Sequence, residues 1–171
     1  MVSSTASSRN KTLLWIGGGC LIILVCVLAV FLFGFGGLYW LGSQVADEVD
    51  VSWDIPTGME VGENFEFKIA VTNITTIPVE LVEIDFNTNY LRGFLIESTA
   101  PQYIDIFEFT PLAGGELFQT YSYKKSIAPG EMLTITFNGR AVVSGDYNGT
   151  ILVCIDSVFN CRSNIVRTII Q

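Results

Sequence analysis

The chain reads as an all-β domain, an antiparallel β-sandwich of about eight short strands, preceded by one transmembrane α-helix. Three observations predict this. Leu13–Leu41 runs 29 residues without a charged side chain. Beyond it, apolar residues alternate with Thr, Ser, Asn, Glu and Asp at a period of two, broken by clusters of Gly, Pro and Asn. No segment there carries helical periodicity, so two packed antiparallel sheets are the natural solution, with a closed barrel as the alternative.

Of 171 residues, about 130 remain outside the apolar run, enough for one domain. Residues 1–12 form a polar tail too short to fold. The run 13–41 would rise roughly 43 Å as a helix, more than the roughly 30 Å of a bilayer's hydrocarbon core. Arg9 and Lys11 precede it, and no Lys or Arg follows before Lys68. By the positive-inside rule the N-terminus stays in the cytoplasm and the C-terminal part is extracytoplasmic at the cell membrane. Trp15 and the pair Tyr39/Trp40 are spaced to sit in the two interfacial belts, which makes the lipid bilayer the first expected partner. A cleaved secretory signal is the competing reading, but its apolar core would span only about 7–15 residues before a small-residue cleavage site. Here Gln44 occupies such a position in Gln44-Val45-Ala46. Cys20 and Cys26, at i and i+6 inside the span, are too far apart on a helix to bridge. Residues 42–48 are a short juxtamembrane linker, and 49–171 the sandwich.

Within that domain Phe65, Phe67, Ile69 and Val71 alternate with polar neighbours as a half-buried strand does, and Asn73–Pro78 ends it. Val79–Phe86, Leu91–Ile96, Tyr103–Phe109, Leu117–Lys124 and Leu133–Phe137 follow as strands. Ile127-Ala128-Pro129-Gly130-Glu131 is a turn, since proline presets its first corner and glycine accepts positive φ. Gly145-Asp146-Tyr147-Asn148-Gly149 reads as another. Thr150–Asp156 and Asn164–Ile170 close the chain.

Composition narrows function. All 17 acidic residues lie from Asp47 onward against seven basic ones, a net charge of −10 for that part. Such a surface repels phosphate backbones, so nucleic acid is not an expected partner. Histidine is absent, which removes the commonest general base and metal ligand. No enzyme activity, cofactor or metal is expected. Asp47, Glu48, Asp50 and Asp54 lack the spacing of a calcium loop. Asp105 and Glu108 read as a solvated face, and Ser122–Ser126, with Lys124 and Lys125, as surface charge rather than a Ser–Lys dyad.

Ile127–Glu131, the strand Leu133–Phe137, and Gly145–Gly149 leading into Ile151–Cys154 resemble the C-terminal half of bacterial immunoglobulin-like modules. They are similar to the CARDB-like group of cell-adhesion-related domains, and Val71-Thr72-Asn73 is similar to a strand end in those modules. The likeness covers about 80 residues. It departs from antibody domains in lacking the Cys…Trp…Cys spacing, and Tyr147 precedes Cys154 by seven residues instead of about two. The resemblance implies an immunoglobulin-like sandwich with an extracytoplasmic, binding-type role.

Cys154 and Cys161 carry the clearest local chemistry. If the last two strands pair about Ser157-Val158, these residues fall opposite one another and can form a disulfide, contributing about 2–3 kcal/mol by loop entropy. Free thiols and a redox-active pair are the alternatives. Of the three sequons, Asn10 falls in the cytoplasmic tail, and Asn73 and Asn148 read as turn asparagines. Tyr90–Phe109 holds more apolar residues than one buried face requires, and Tyr103 and Phe107 are the candidate surface for a protein partner. The function expected is a non-catalytic adhesion or protein-interaction module, with an accessory subunit of a larger membrane complex as the alternative.

Overall fold

The computed structural model describes residues 46–111 and 115–171. The expected span 13–41 with its anchors Trp15, Tyr39 and Trp40, the tail 1–12, the sequon at Asn10 and most of the linker lie outside these residues. Among the described residues no helix is long and apolar enough to cross a membrane.

Ten strands form: β1 (Val49–Asp54), β2 (Gly58–Met59), β3 (Asn64–Asn73), β4 (Val79–Asn87), β5 (Phe94–Ala100), β6 (Asp105–Phe109), β7 (Phe118–Ile127), β8 (Met132–Ala141), β9 (Gly145–Ile155) and β10 (Cys161–Ile170). One sheet has the order β1-β3-β8-β5 and the other β2-β10-β9-β4-β7-β6. Every pairing is antiparallel except that of β2 with β10. Alternation decides the inner faces. Phe67, Ile69, Ile135 and Phe137 from the first sheet meet Ile84, Phe86, Tyr121 and Val153 from the second in one fully buried core. Phe137 joins the layers, its ring 4.8 Å from Phe86 and 5.1 Å from Tyr121, both edge-on. The all-β, two-sheet sandwich expected from the pattern is therefore present, with ten strands among the described residues where about eight were counted.

Three local expectations change. Of Leu91–Ile96 only Phe94–Ile96 is strand, the start of β5, while Thr88–Leu91 makes one helical turn, α1. Asn87 caps that turn, its side chain accepting from Asn89 N at 2.8 Å. Gly145–Gly149 is not a turn but the start of β9. Its glycines answer crowding: a Cβ on Gly149 would come within 2.8 Å of Tyr90 Cβ. The turn at Pro129-Gly130 forms as expected, with Gly130 at φ 73° and Glu131 N donating to Ala128 O at 2.9 Å.

The third change concerns β4. A strict period of two from Val79 and Leu81 would send Glu83 and Asp85 into the core. A bulge between Leu81 and Glu83 shifts the register against both β7 and β9. Ile84 and Phe86 then turn inward, and the two acids face outward.

Candidate functional site

Two features stand out beyond the core. The first is a cleft of about 200 Å³ where β5 and β6, edge strands of the two sheets, leave the sandwich open. Leu95, Ile96, Tyr103, Ile106, Gln119 and Tyr121 are among the residues that line it. Tyr103 packs edge-on against Tyr121, ring centroids 5.4 Å apart. Gln119 Nε2 donates to Tyr121 Oη at 3.1 Å, and burial pushes the Tyr121 phenol up to about 12. Leu95 and Ile106, both part of its lining, remain exposed.

Of the two residues expected to share a partner surface, Tyr103 belongs to this cleft and Phe107 does not. Ile106 stands opposite Tyr121, and Phe107 opposite Thr120. Successive side chains point to opposite faces, so Phe107, 44% exposed, lies on the outward face of the six-stranded sheet. The sequence pattern could not separate them, because the excess of apolar residues in Tyr90–Phe109 gives no phase.

The second feature lies on that outward face. Cys161 pairs directly with Cys154 across β9 and β10, and the two form the expected disulfide, S–S 2.06 Å with Cα atoms 4.0 Å apart. The strands reverse through Asp156–Asn160, where Ile155 N donates to Asn160 O at 2.9 Å. Beside the bridge stand Glu83 and Asp85, 6% and 1% exposed. Thr120 Oγ1 donates to Asp85 Oδ1 at 2.7 Å, while Asp85 Oδ2 lies 3.7 Å from Cys154 Sγ. Burial raises the Asp85 carboxyl to about 7; the neighbouring Glu83 charge adds to this and the Thr120 hydrogen bond opposes it. Burial also raises Glu83. Sequence reasoning missed both acids, since only the bulge brings them to this face.

Donor atoms of Glu83, Asp85 and Cys154 lie within 4.8 Å of one another, the spacing of a metal site. The sulfur is held in the disulfide, and two carboxylates fall short of the six to eight oxygens calcium takes or the four ligands of structural zinc. The N-terminal acids do not gather either: Asp47 sits 4.0 Å from Arg162, and Glu48 accepts from Asn160 Nδ2 at 3.2 Å. Asn73, the second sequon, is fully buried. Its Nδ2 donates to Ile77 O at 2.8 Å and Ile127 O at 2.9 Å, tying the β3–β4 loop to the end of β7. Both amide hydrogens are used, which leaves no site for a glycan in the folded protein; Asn148 is exposed on β9.

No protein-family model and no curated protein sequence matches the chain. Solved structures do. AvmM, which catalyzes macrocyclization in alchivemycin A biosynthesis, is similar with a TM-score of 0.50 at 12% identity, over 74% of this chain and 90% of that one. The alkylpurine DNA glycosylase AlkC of Pseudomonas fluorescens gives 0.45 at 11% identity, over 72% of this chain and 30% of that one. A CARDB domain from Pyrococcus furiosus, solved with di-metal ions, gives 0.44 at 14% identity, over 77% and 96%. The chain spans under a third of the glycosylase's length. At these identities the likeness concerns the fold alone.

Proposed function

We propose that this protein is a non-catalytic interaction module: a single-pass, N-in membrane protein that presents its β-sandwich outside the cytoplasmic membrane and engages a protein partner through the β5/β6 cleft. The cleft carries the reading. It is apolar at its mouth, ringed by Tyr103 and Tyr121, and flanked by β5 and β6, each the last strand of its sheet. The acidic domain, the basic pair Arg9 and Lys11 ahead of the apolar run, and a disulfide suited to an oxidising compartment support the address.

The test places a photo-crosslinking residue at Ile106 of the full chain in its native membrane. One discrete protein adduct is expected, lost on Tyr103→Glu and retained on Phe107→Glu, with both variants folded by circular dichroism. An adduct insensitive to Tyr103→Glu overturns the cleft. Protease added to intact cells is expected to digest the domain, and a protected domain overturns the topology.

A further inference from the structure

Asp85 and the disulfide face each other on adjacent strands, and the details of that contact are asymmetric. Thr120 donates to Oδ1, so the protonated carboxyl carries its hydrogen on Oδ2, the oxygen 3.7 Å from Cys154 Sγ. Cys154 is 1% exposed, whereas Cys161 is only part-buried. Beyond β9, β10 is flanked only by β2, which pairs at Ile169 and Ile170. Among the described residues no strand pairs with β10 at the Cys161 end; next to it Arg162 Nη1 donates to Ala46 O and Val49 O at 3.1 and 3.2 Å. The S–S bond bridges neighbouring strands, so its extension past Cys161 leaves the sheet at that open edge. A thiolate attacking a disulfide must approach along this line.

We propose that Cys154–Cys161 is a thiol-exchange site, in which an external thiolate attacks Cys161 Sγ and Asp85 gives its proton to the departing Cys154 sulfur. The step balances. The incoming RS⁻ forms a mixed disulfide with Cys161, the Cys154–Cys161 bond breaks, and its electron pair leaves on Cys154. The Asp85 carboxylic acid becomes a carboxylate as Cys154 becomes a thiol. The thiol donor, of the aliphatic thiol class, is the reductant. Burial holds the Asp85 carboxyl up to about 7, so it retains a proton where alkyl thiolates already exist. Glu83 is the charged group facing it from its own strand. Thr120 and Ser122 on β7 and Leu152 on β9 are uncharged at the neighbouring registers, and Asp105 on β6 stands one strand beyond Ser122. The site lies on a different face from the β5/β6 cleft and does not depend on it.

The experiment treats the full chain, purified in detergent, with glutathione from pH 5.5 to 8.5. Free thiols are blocked with N-ethylmaleimide and the peptides mapped by mass. The expected first product carries glutathione on Cys161 and maleimide on Cys154. Expressed per glutathione thiolate, the rate falls about tenfold between pH 6 and pH 8 as Asp85 ionises. Asp85→Asn is about tenfold slower than the parent at pH 6 and flat across the range. Glutathione on Cys154, a flat parent profile, or an Asp85→Asn profile matching the parent overturns the proposal. Adduct position and the parent profile decide it even where the variant misfolds.

Discussion

The Tyr90 hydroxyl donates to Thr168 Oγ1 at 2.9 Å, because the Thr168 hydroxyl spends its own hydrogen on Pro56 O at 2.6 Å. This relay ties α1 to β10 and to the segment before β2. Its two members are unequal. Tyr90→Phe removes a donor and leaves Thr168 bonded to Pro56, costing about 1 kcal/mol. Thr168→Val strands a buried phenol and a carbonyl together, costing about 2–3 kcal/mol. Urea midpoints of the two variants check the order, and equal losses would contradict the relay.

A second expectation concerns pH. The Asp85 carboxyl is held at about 7 in the folded chain, chiefly by burial, against about 3.9 unfolded. Its favourable share of stability is complete below about pH 4 and is lost as pH rises to about 7. Above that, the fold carries a buried carboxylate. Asp85→Asn, which still accepts from Thr120, therefore changes the melting temperature little at pH 4 and raises it at pH 8, by up to about 4 kcal/mol in stability. Thermal melts at the two pH values check it, and parallel curves for parent and variant would contradict it.

These two regions mark where sequence pattern stops being informative. β3, β8 and β10 were legible because one face of each is buried and period-two alternation shows it directly, whereas β7 and β9 bury side chains on both faces and were marked only by the turn residues that bound them. Asp85 was not, since a one-residue bulge at Val82 inverts the phase of β4 and leaves no composition signal. α1 is a single turn, too short for helical periodicity. Gly145 and Gly149 read as turn residues because glycine signals both positive φ and close approach, and only the neighbouring Tyr147 and Tyr90 distinguish the two. That Tyr103 and Phe107 lie on different faces was not legible either, because Tyr103 precedes β6 and the alternation of that strand does not fix its side.

Tyr123 supplies a third prediction. It is 1% exposed, and among the described residues its hydroxyl has no hydrogen-bond partner. Its ring packs at 90° against Phe137, and burial raises the phenol's pKa, opposed by the nearby Thr99 side chain, which does not reach hydrogen-bond geometry. Removing an unpaired buried hydroxyl while keeping the ring should be neutral or stabilising, by about 1 kcal/mol. Chemical denaturation of Tyr123→Phe measures it, and a loss above about 1 kcal/mol would show that the hydroxyl has a partner.

Glycine-to-alanine changes at Gly139, inside β8, and at Gly130, in the turn before it, should differ in cost and in cause. At Gly139 an added Cβ would lie 2.2 Å from Leu95 O and 2.6 Å from Phe65 Cζ. It faces β5 where that strand bulges between Ile96 and Ser98. The carbonyl belongs to a paired strand and cannot step aside without breaking the β5–β8 ladder, so Gly139→Ala should cost about 3 kcal/mol or more. At Gly130 nothing lies within 4 Å of an added Cβ, but φ is 73°. There the cost is backbone strain alone, about 1 kcal/mol. A cavity partner separates the two causes. Phe65→Leu in the Gly139→Ala background should recover part of the loss by giving the methyl group room, whereas Phe65→Leu with Gly130→Ala should add to it. Denaturation midpoints for the four variants check this, and equal behaviour in both backgrounds would mean that the Phe65 contact does not set the cost at Gly139.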